Sequence, residues 1–254
     1  LNVRTITDAN SLQAEFQSGR VDLAPNPSNF SADTYNSFKQ NPNLQVIQSE
    51  GSNVRYIGFN VQNKPISDAN LRQAIAYAVD REKIINDLLN GQARVAHSIL
   101  PESSWAFSPG TKYTYDPAKA KQLLQQSGYR GEQIKFKVAA GNTAISQYAQ
   151  VIQNSLKEIG INCEIETLEN NTLLEQLAKG QFEMNTSQWV GGNQDPIFLR
   201  DLFASNESPE KKRNGRNRSR YGNPEFDRLV EEAVNTLDKA KAKTLYGQAQ
   251  DIVS

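Results

Sequence analysis

His97 and Cys163 are the single histidine and the single cysteine among 254 residues. An ordinary zinc site or a Cys-His dyad would require this pair to meet from distant segments, and one thiol allows no disulfide within the chain. The chain has no Gly-x-Ser-x-Gly elbow, no phosphate-cradling glycine loop and no paired carboxylates at motif spacing. Its residues therefore imply no catalytic constellation, no metal site and no cofactor. His97, just before Ser98-Ile99-Leu100-Pro101, reads as a neutral loop imidazole rather than a proton switch.

The segment Gln188 to Pro196 is a stronger candidate for binding. A strand that ends in Trp189 and runs into Gly191, Gly192 and Asn193 sets an aromatic face and open backbone N–H groups at the mouth of a cleft. The same letters also describe a glycine-rich turn beside a core tryptophan. Asp195, directly before Pro196, reads as an N-cap with proline at the first helical position. The run from Lys211 to Arg220 holds six cations in ten residues. It lacks interleaved aromatics, and Glu207 and Glu210 stand beside it, so it reads as a flexible surface loop rather than a nucleic-acid contact.

Elements that could position these groups follow from periodicity. Lys plus Arg and Asp plus Glu are equal at 28 each, so no net field selects nucleic acid or an anionic membrane. No apolar run approaches the roughly 20 residues of a membrane-spanning helix. A short helix about Leu12 and Phe16, stopped by Gly19, leads to a strand at Val21–Ala24. A second short helix covers Asp33 to Lys39, and Leu44–Gln48 and Arg55–Val61 alternate as strands.

Ser67 or Asp68 caps one long helix expected from about Leu71 to Leu89. Asp116-Pro117 opens a helix that Gly128 stops, Ile134–Ala139 is a strand, and Ile145 to Ile159 is a helix closed by Gly160. Strand, helix and strand follow at Ile161–Leu168, Thr172–Ala178 and Phe182–Trp189. Asp195-Pro196 starts a helix running through Phe203. Asn223-Pro224 caps a helix with Phe226, Leu229, Val230, Ala233 and Leu237 on its apolar face, and a last helix runs from Lys239 into Ile252. The alternation predicts an α/β fold with a mixed sheet flanked by helices. The ending inside a helical pattern suggests that the chain is truncated before its final return strands.

The blocks Tyr56-Ile57-Gly58-Phe59-Asn60, Asn63-Lys64-Pro65 and Leu71-Arg72-Gln73-Ala74 through Asp80-Arg81-Glu82 resemble the extracellular solute-binding proteins of family 5. Leu100-Pro101, Trp105, Tyr115-Asp116-Pro117, Gly160-Ile161, Gln188-Trp189, Asp195-Pro196 and Asn223-Pro224-Glu225-Phe226-Asp227 continue the likeness in family order. That resemblance implies a periplasmic-binding-protein-like lobe, with residues 1–54 a remnant of lobe one and its crossover, and residues 55–254 the second ligand-binding lobe. It implies an extracytoplasmic, periplasmic or membrane-anchored component of an ABC importer that holds a peptide-like solute and hands it to a membrane permease. An oligosaccharide, a metal chelate or an opine-like solute is the alternative ligand.

The resemblance also tips Trp189, Gly191, Gly192 and Asn193 towards the ligand pocket. Arg72 and Asp80, as charges on an amphipathic helix, read as fixing surface or interlobe pairs rather than lining the pocket. The dipeptide-type pattern has an acidic residue where Gly192 stands here, so the usual carboxylate for a ligand ammonium is missing at that position.

Overall fold

The structure, a computed structural model, describes residues 2–25, 30–49, 51–190 and 195–254. Its centre is a four-stranded mixed sheet in the order β1 (Asn53–Phe59), β4 (Met184–Val190), β2 (Ile134–Ala139), β3 (Cys163–Leu168). β2 runs parallel to both neighbours, and β1 closes one edge antiparallel to β4 with Asn53 opposite Val190 and Phe59 opposite Met184.

Alternation sorts the strands into two faces. Ile134, Phe136 and Val138 join Met184, Ile57, Phe59 and Ile165 in one apolar layer, in which Phe136 is fully buried. Three helices supply the other half of that layer: α3 (Ala69–Ala78), α5 (Pro117–Gln126) and α6 (Thr143–Ile159). α6 forms because Asn142 accepts a hydrogen bond from the Ile145 amide at its start. Ala149, Ile152, Leu156 and Ile159 repeat along its buried face, and Gly160 ends it at φ +96.

The opposite sheet face meets α7 (Asn170–Ala178), through Leu173 and Leu177 against Ala139 and Leu168. A second apolar cluster gathers α8 (Phe198–Phe203), α9 (Pro224–Val234) and α10 (Lys239–Val253) around Leu100, Ala106 and Phe226. Two further helices, α1 (Ala9–Gln17) and α2 (Ala32–Lys39), precede β1.

The α/β class and the mixed sheet agree with the sequence, whereas several local expectations do not. The single helix expected from Leu71 to Leu89 is two, α3 and α4 (Arg81–Leu88). Val79 turns extended, at ψ 113, and the Asp80 carboxylate caps α4 by accepting from the Lys83 amide. Its side chain competes locally with the helical ladder, as aspartate commonly does. Val21–Ala24 and Leu44–Gln48 form no strand among the described residues, and Leu23 and Ile47 are exposed. Alternation cannot hold a strand without a neighbour to satisfy its backbone donors and acceptors. Leu237 lies beyond the end of α9 and is fully exposed, so it does not extend that helix's apolar face.

The 211–220 run is anchored rather than flexible in form. Asn217 has no exposed surface, and its Nδ2 donates to the carbonyls of Phe203, Ala204 and Tyr221 at 3.2, 2.9 and 2.8 Å. Arg220 is buried and donates to the carbonyls of Ala178 and Arg218 at 2.8 and 2.7 Å, with the Glu210 carboxylate at 2.6 Å. Lys212 pairs with buried Glu207 at 2.6 Å, and Arg216 with Asp201 at 3.4 Å. The cations are numerous because the loop uses several of them as internal struts.

Candidate functional site

The connection leaving β2 goes to α6 on one sheet face, and the connection leaving β3 goes to α7 on the other. Adjacent strands whose connections diverge leave a crevice at their carboxyl ends, where ligands bind in open α/β sheets. Here β2 and β3 are those neighbours; β4, parallel to β2, brings its carboxyl end to the same edge of the sheet, and the start of β1 lies beside it. Residues at this end are therefore the site candidates.

Trp189 stands opposite Val54 in the β1–β4 ladder and is half-buried. Its ring stacks on Phe198 with centroids 4.5 Å apart and planes at 27°, and the Arg216 guanidinium lies 5.5 Å from the ring centre. The tryptophan thus packs against the second apolar cluster, the core contact that the sequence also allowed. Gly191, Gly192 and Asn193 lie outside the described residues. The Asp195 carboxylate accepts from the Ile197 amide at 3.0 Å, but it does not cap the helix as expected, because α8 starts later, at Phe198, with Ile197 at its N-cap and no side-chain cap bond.

A polar group that periodicity alone did not single out lies one residue further into the sheet. Arg55, on β1, donates from Nε to Oε1 of Gln188 directly across the ladder at 3.0 Å. Tyr148, on the second turn of α6, has its hydroxyl beside Arg55 and Thr186. Burial pushes the Tyr148 hydroxyl above the ordinary phenol range, against the opposing pull of Arg55, so it stays protonated at neutral pH. On the other face Tyr56 hydrogen-bonds to Ser187 beside Arg218, and burial again raises its pKa. The Nε of Arg218 is buried without a hydrogen-bond partner. The available signal was an arginine and a glutamine in strands whose other members, Asn53 and Asn185 apart, are apolar or hydroxyl-bearing. Their pairing needs the β1–β4 register, which spans 133 residues.

The remaining singled-out groups have structural surroundings. Arg72 donates to the carbonyls of Ile66 and Ser67 at 2.9 and 2.8 Å, and Arg81 to those of Ala96 and Tyr113. His97 is pushed below the ordinary imidazole value by burial, then by Arg81 and Lys112, so it is neutral at pH 7. Cys163 packs against the main core, and burial pushes its thiol up to about 12, far from the thiolate that nucleophilic chemistry needs. Among the described residues no three or more His, Cys, Asp or Glu side chains gather as a metal site.

Comparison with known proteins adds a family. The model of "Bacterial extracellular solute-binding proteins, family 5 Middle" matches residues 1–210. Heme-binding protein A of Haemophilus influenzae is 32% identical over 100% of this chain and 46% of its own length. The dipeptide-binding protein of Escherichia coli is 31% identical over 97% of this chain and 46% of its own. The solved structure of the ABC transporter-associated periplasmic binding protein DppA from Helicobacter pylori, in complex with the peptide STSA, superposes with a TM-score of 0.86 at 29% identity. That match covers 99% of this chain and 48% of the other. The chain spans about half the length of these relatives. With the family match running from the first residue through the sheet to the basic loop, the chain belongs to the bacterial extracellular solute-binding proteins of family 5.

Proposed function

We propose that this chain is the larger part of one lobe of an extracytoplasmic solute-binding component of an ABC importer, that it captures peptide-like solutes, and that it is not an enzyme. Residues 55–254 form the ligand-binding lobe and residues 1–54 belong to lobe one and the crossover. Solute is held between the lobes and passed to a membrane permease. The observation that carries this reading is the superposition of nearly the whole chain on a periplasmic binding protein solved with a bound peptide. The crevice at the carboxyl ends of β2 and β3, on the sheet edge where β4 also ends, supports it, because a cleft between lobes would open there.

Within that cleft we assign Trp189, Gly191, Gly192 and Asn193 to the ligand. Trp189 leaves β4 at its carboxyl end, although Phe198 already covers part of its ring. Native mass spectrometry of the full-length protein as purified tests the ligand class. A retained peptide-like solute is expected, whereas an oligosaccharide or a metal chelate as the sole cargo would overturn the peptide assignment. Calorimetric titration of Gly192→Asp with free and N-acetylated peptides tests the residues. The new carboxylate should favour a free amino terminus, and unchanged affinities for both series would remove this loop from the site.

A further inference from the structure

Most arginines and lysines near the sheet and its loops have an anion or several backbone carbonyls as partners. Lys137 faces Glu166 at 3.3 Å, Arg216 faces Asp201 and Arg220 faces Glu210. Arg72 and Arg81 spend their N–H groups on backbone carbonyls. Arg55 differs: its hydrogen-bond partner among the described residues is the amide of Gln188, and the Tyr148 hydroxyl beside it is neutral too. The side chain is exposed and lies near the carboxyl end of β4, on the sheet edge where the carboxyl ends of the parallel strands gather.

The contacts orient this cation without neutralising it. A guanidinium has five N–H donors in a planar fork, and Gln188 takes the Nε hydrogen. With Nε held across the ladder, the terminal nitrogens form the edge that matches a carboxylate through two parallel hydrogen bonds. The neutral Tyr148 hydroxyl adds a group that can donate to the same anion while accepting from the arginine. The other charged groups about the end of β4 belong to the opposite sheet face and the segment after it, where the Asp195 carboxylate accepts from the Ile197 amide. Arg216 lies by Trp189 and Arg218 by Tyr56, and the carboxylate in contact, Asp201, is shared by Arg216 and Arg200.

We propose that Arg55, oriented by Gln188 and supported by Tyr148, anchors a carboxylate of the bound solute, so that this protein holds its ligand by an acidic end. The assignment rests on the peptide reading above and names the chemistry that its pocket selects. It also accounts for Gly192 standing where an acidic residue for a ligand ammonium would be expected: the charge complement is moved from the amine to the acid.

The test is calorimetry on the full-length protein with three probes: trialanine, trialanine amide, and Ala-Glu-Ala amide. Wild type should bind trialanine about ten- to a hundredfold more tightly than its amide, the worth of a charge-assisted pair. In Arg55→Gln that preference should vanish, with trialanine losing most of the difference and its amide changing far less, and Arg55→Lys, lacking the fork, should keep only part of the preference. Rescue of amide binding by the glutamate side chain would show that any carboxylate serves, and failure to rescue would show that the chain terminus is read, both with Arg55 as anchor. A preference that survives in Arg55→Gln, or no preference in wild type, would overturn the assignment and leave peptide binding intact. If no probe binds wild type, the peptide reading falls and this assignment with it. Arg55 is exposed, so an unchanged thermal midpoint in both variants is expected and separates lost binding from lost fold.

Discussion

Replacing Asn217 by alanine is the sharpest perturbation of the anchored basic loop. The side chain is completely buried, and its two Nδ2 hydrogens serve the carbonyls of Phe203, Ala204 and Tyr221. Its Oδ1 accepts from the Tyr221 amide at 3.2 Å and from the Ser219 hydroxyl at 2.9 Å. In Asn217→Ala the Ser219 hydroxyl, half-buried, can turn to water. The Tyr221 amide loses this acceptor, and Ala204 keeps a second donor in the Glu207 amide at 3.0 Å. Counting one stranded amide and two under-served carbonyls at the lower end of about 1–3 kcal/mol each gives a loss of about 3 kcal/mol.

This loss bears on the local opening of the loop, and the loop reports on itself. It holds six potential tryptic sites between residues 211 and 220. Where opening and closing are fast relative to cleavage, the rate follows the population of the open form. Limited trypsin digestion of the full-length protein, with the fragments identified by mass spectrometry, should therefore show cleavage between residues 211 and 220 rising about a hundredfold in the variant, since each 1.4 kcal/mol is tenfold. Equal cleavage rates in wild type and Asn217→Ala would refute the reasoning and return the segment to a freely mobile loop.

Other outcomes follow from neighbouring features. Gly215→Ala should destabilise the same loop by about 2 kcal/mol or more, because an added Cβ would lie 2.3 Å from the Glu207 carbonyl oxygen and 2.7 Å from the Ser208 backbone; an unchanged urea midpoint would contradict it. Asp68→Ala should cost about 1 kcal/mol at pH 7 through loss of the α3 cap and of the tie to the Gly128 amide. Hydrogen bonding, from Gly128 foremost, holds the Asp68 carboxyl below its ordinary value of 3.8. Its contribution is thus fully present above that value and is lost as pH falls through the lower folded one, so the gap between variant and wild type should narrow below about pH 4. A gap that widens in acid would reverse that sign. Finally, Cys163, with its thiol pushed up to about 12, should resist a disulfide reagent at pH 8 in the folded protein and react promptly in denaturant, and equal rates would show that the thiol is not shielded.

Much of the secondary structure was legible because its causes are local. Asp116-Pro117, Asn223-Pro224 and Gly160 each mark a helix end through a contact or a φ value that three or four residues decide, and each stands where it was expected. The alternation of Ile134, Phe136 and Val138 likewise named both the strand and its buried face. The family resemblance was legible for a similar reason, as ordered blocks along one dimension.

Where two local causes competed, the pattern misled. Apolar spacing runs unbroken from Leu71 to Leu89, yet the Asp80 cap divides it, because a carboxylate that satisfies the next helix's amide outweighs one more turn of ladder. Val21–Ala24 and Leu44–Gln48 have the composition of strands but pair with no strand among the described residues, and pairing is a property of neighbours.

The candidate site belongs to the same class of facts. The basic run reads as loose from its composition, and only the fold carries the carbonyls of Phe203 and Ala178 to Asn217 and Arg220. Arg55 is one cation among 28 in the sequence. Tertiary structure alone sets it across from Gln188 and beside Tyr148, because strand register and helix docking join residues that no local periodicity connects.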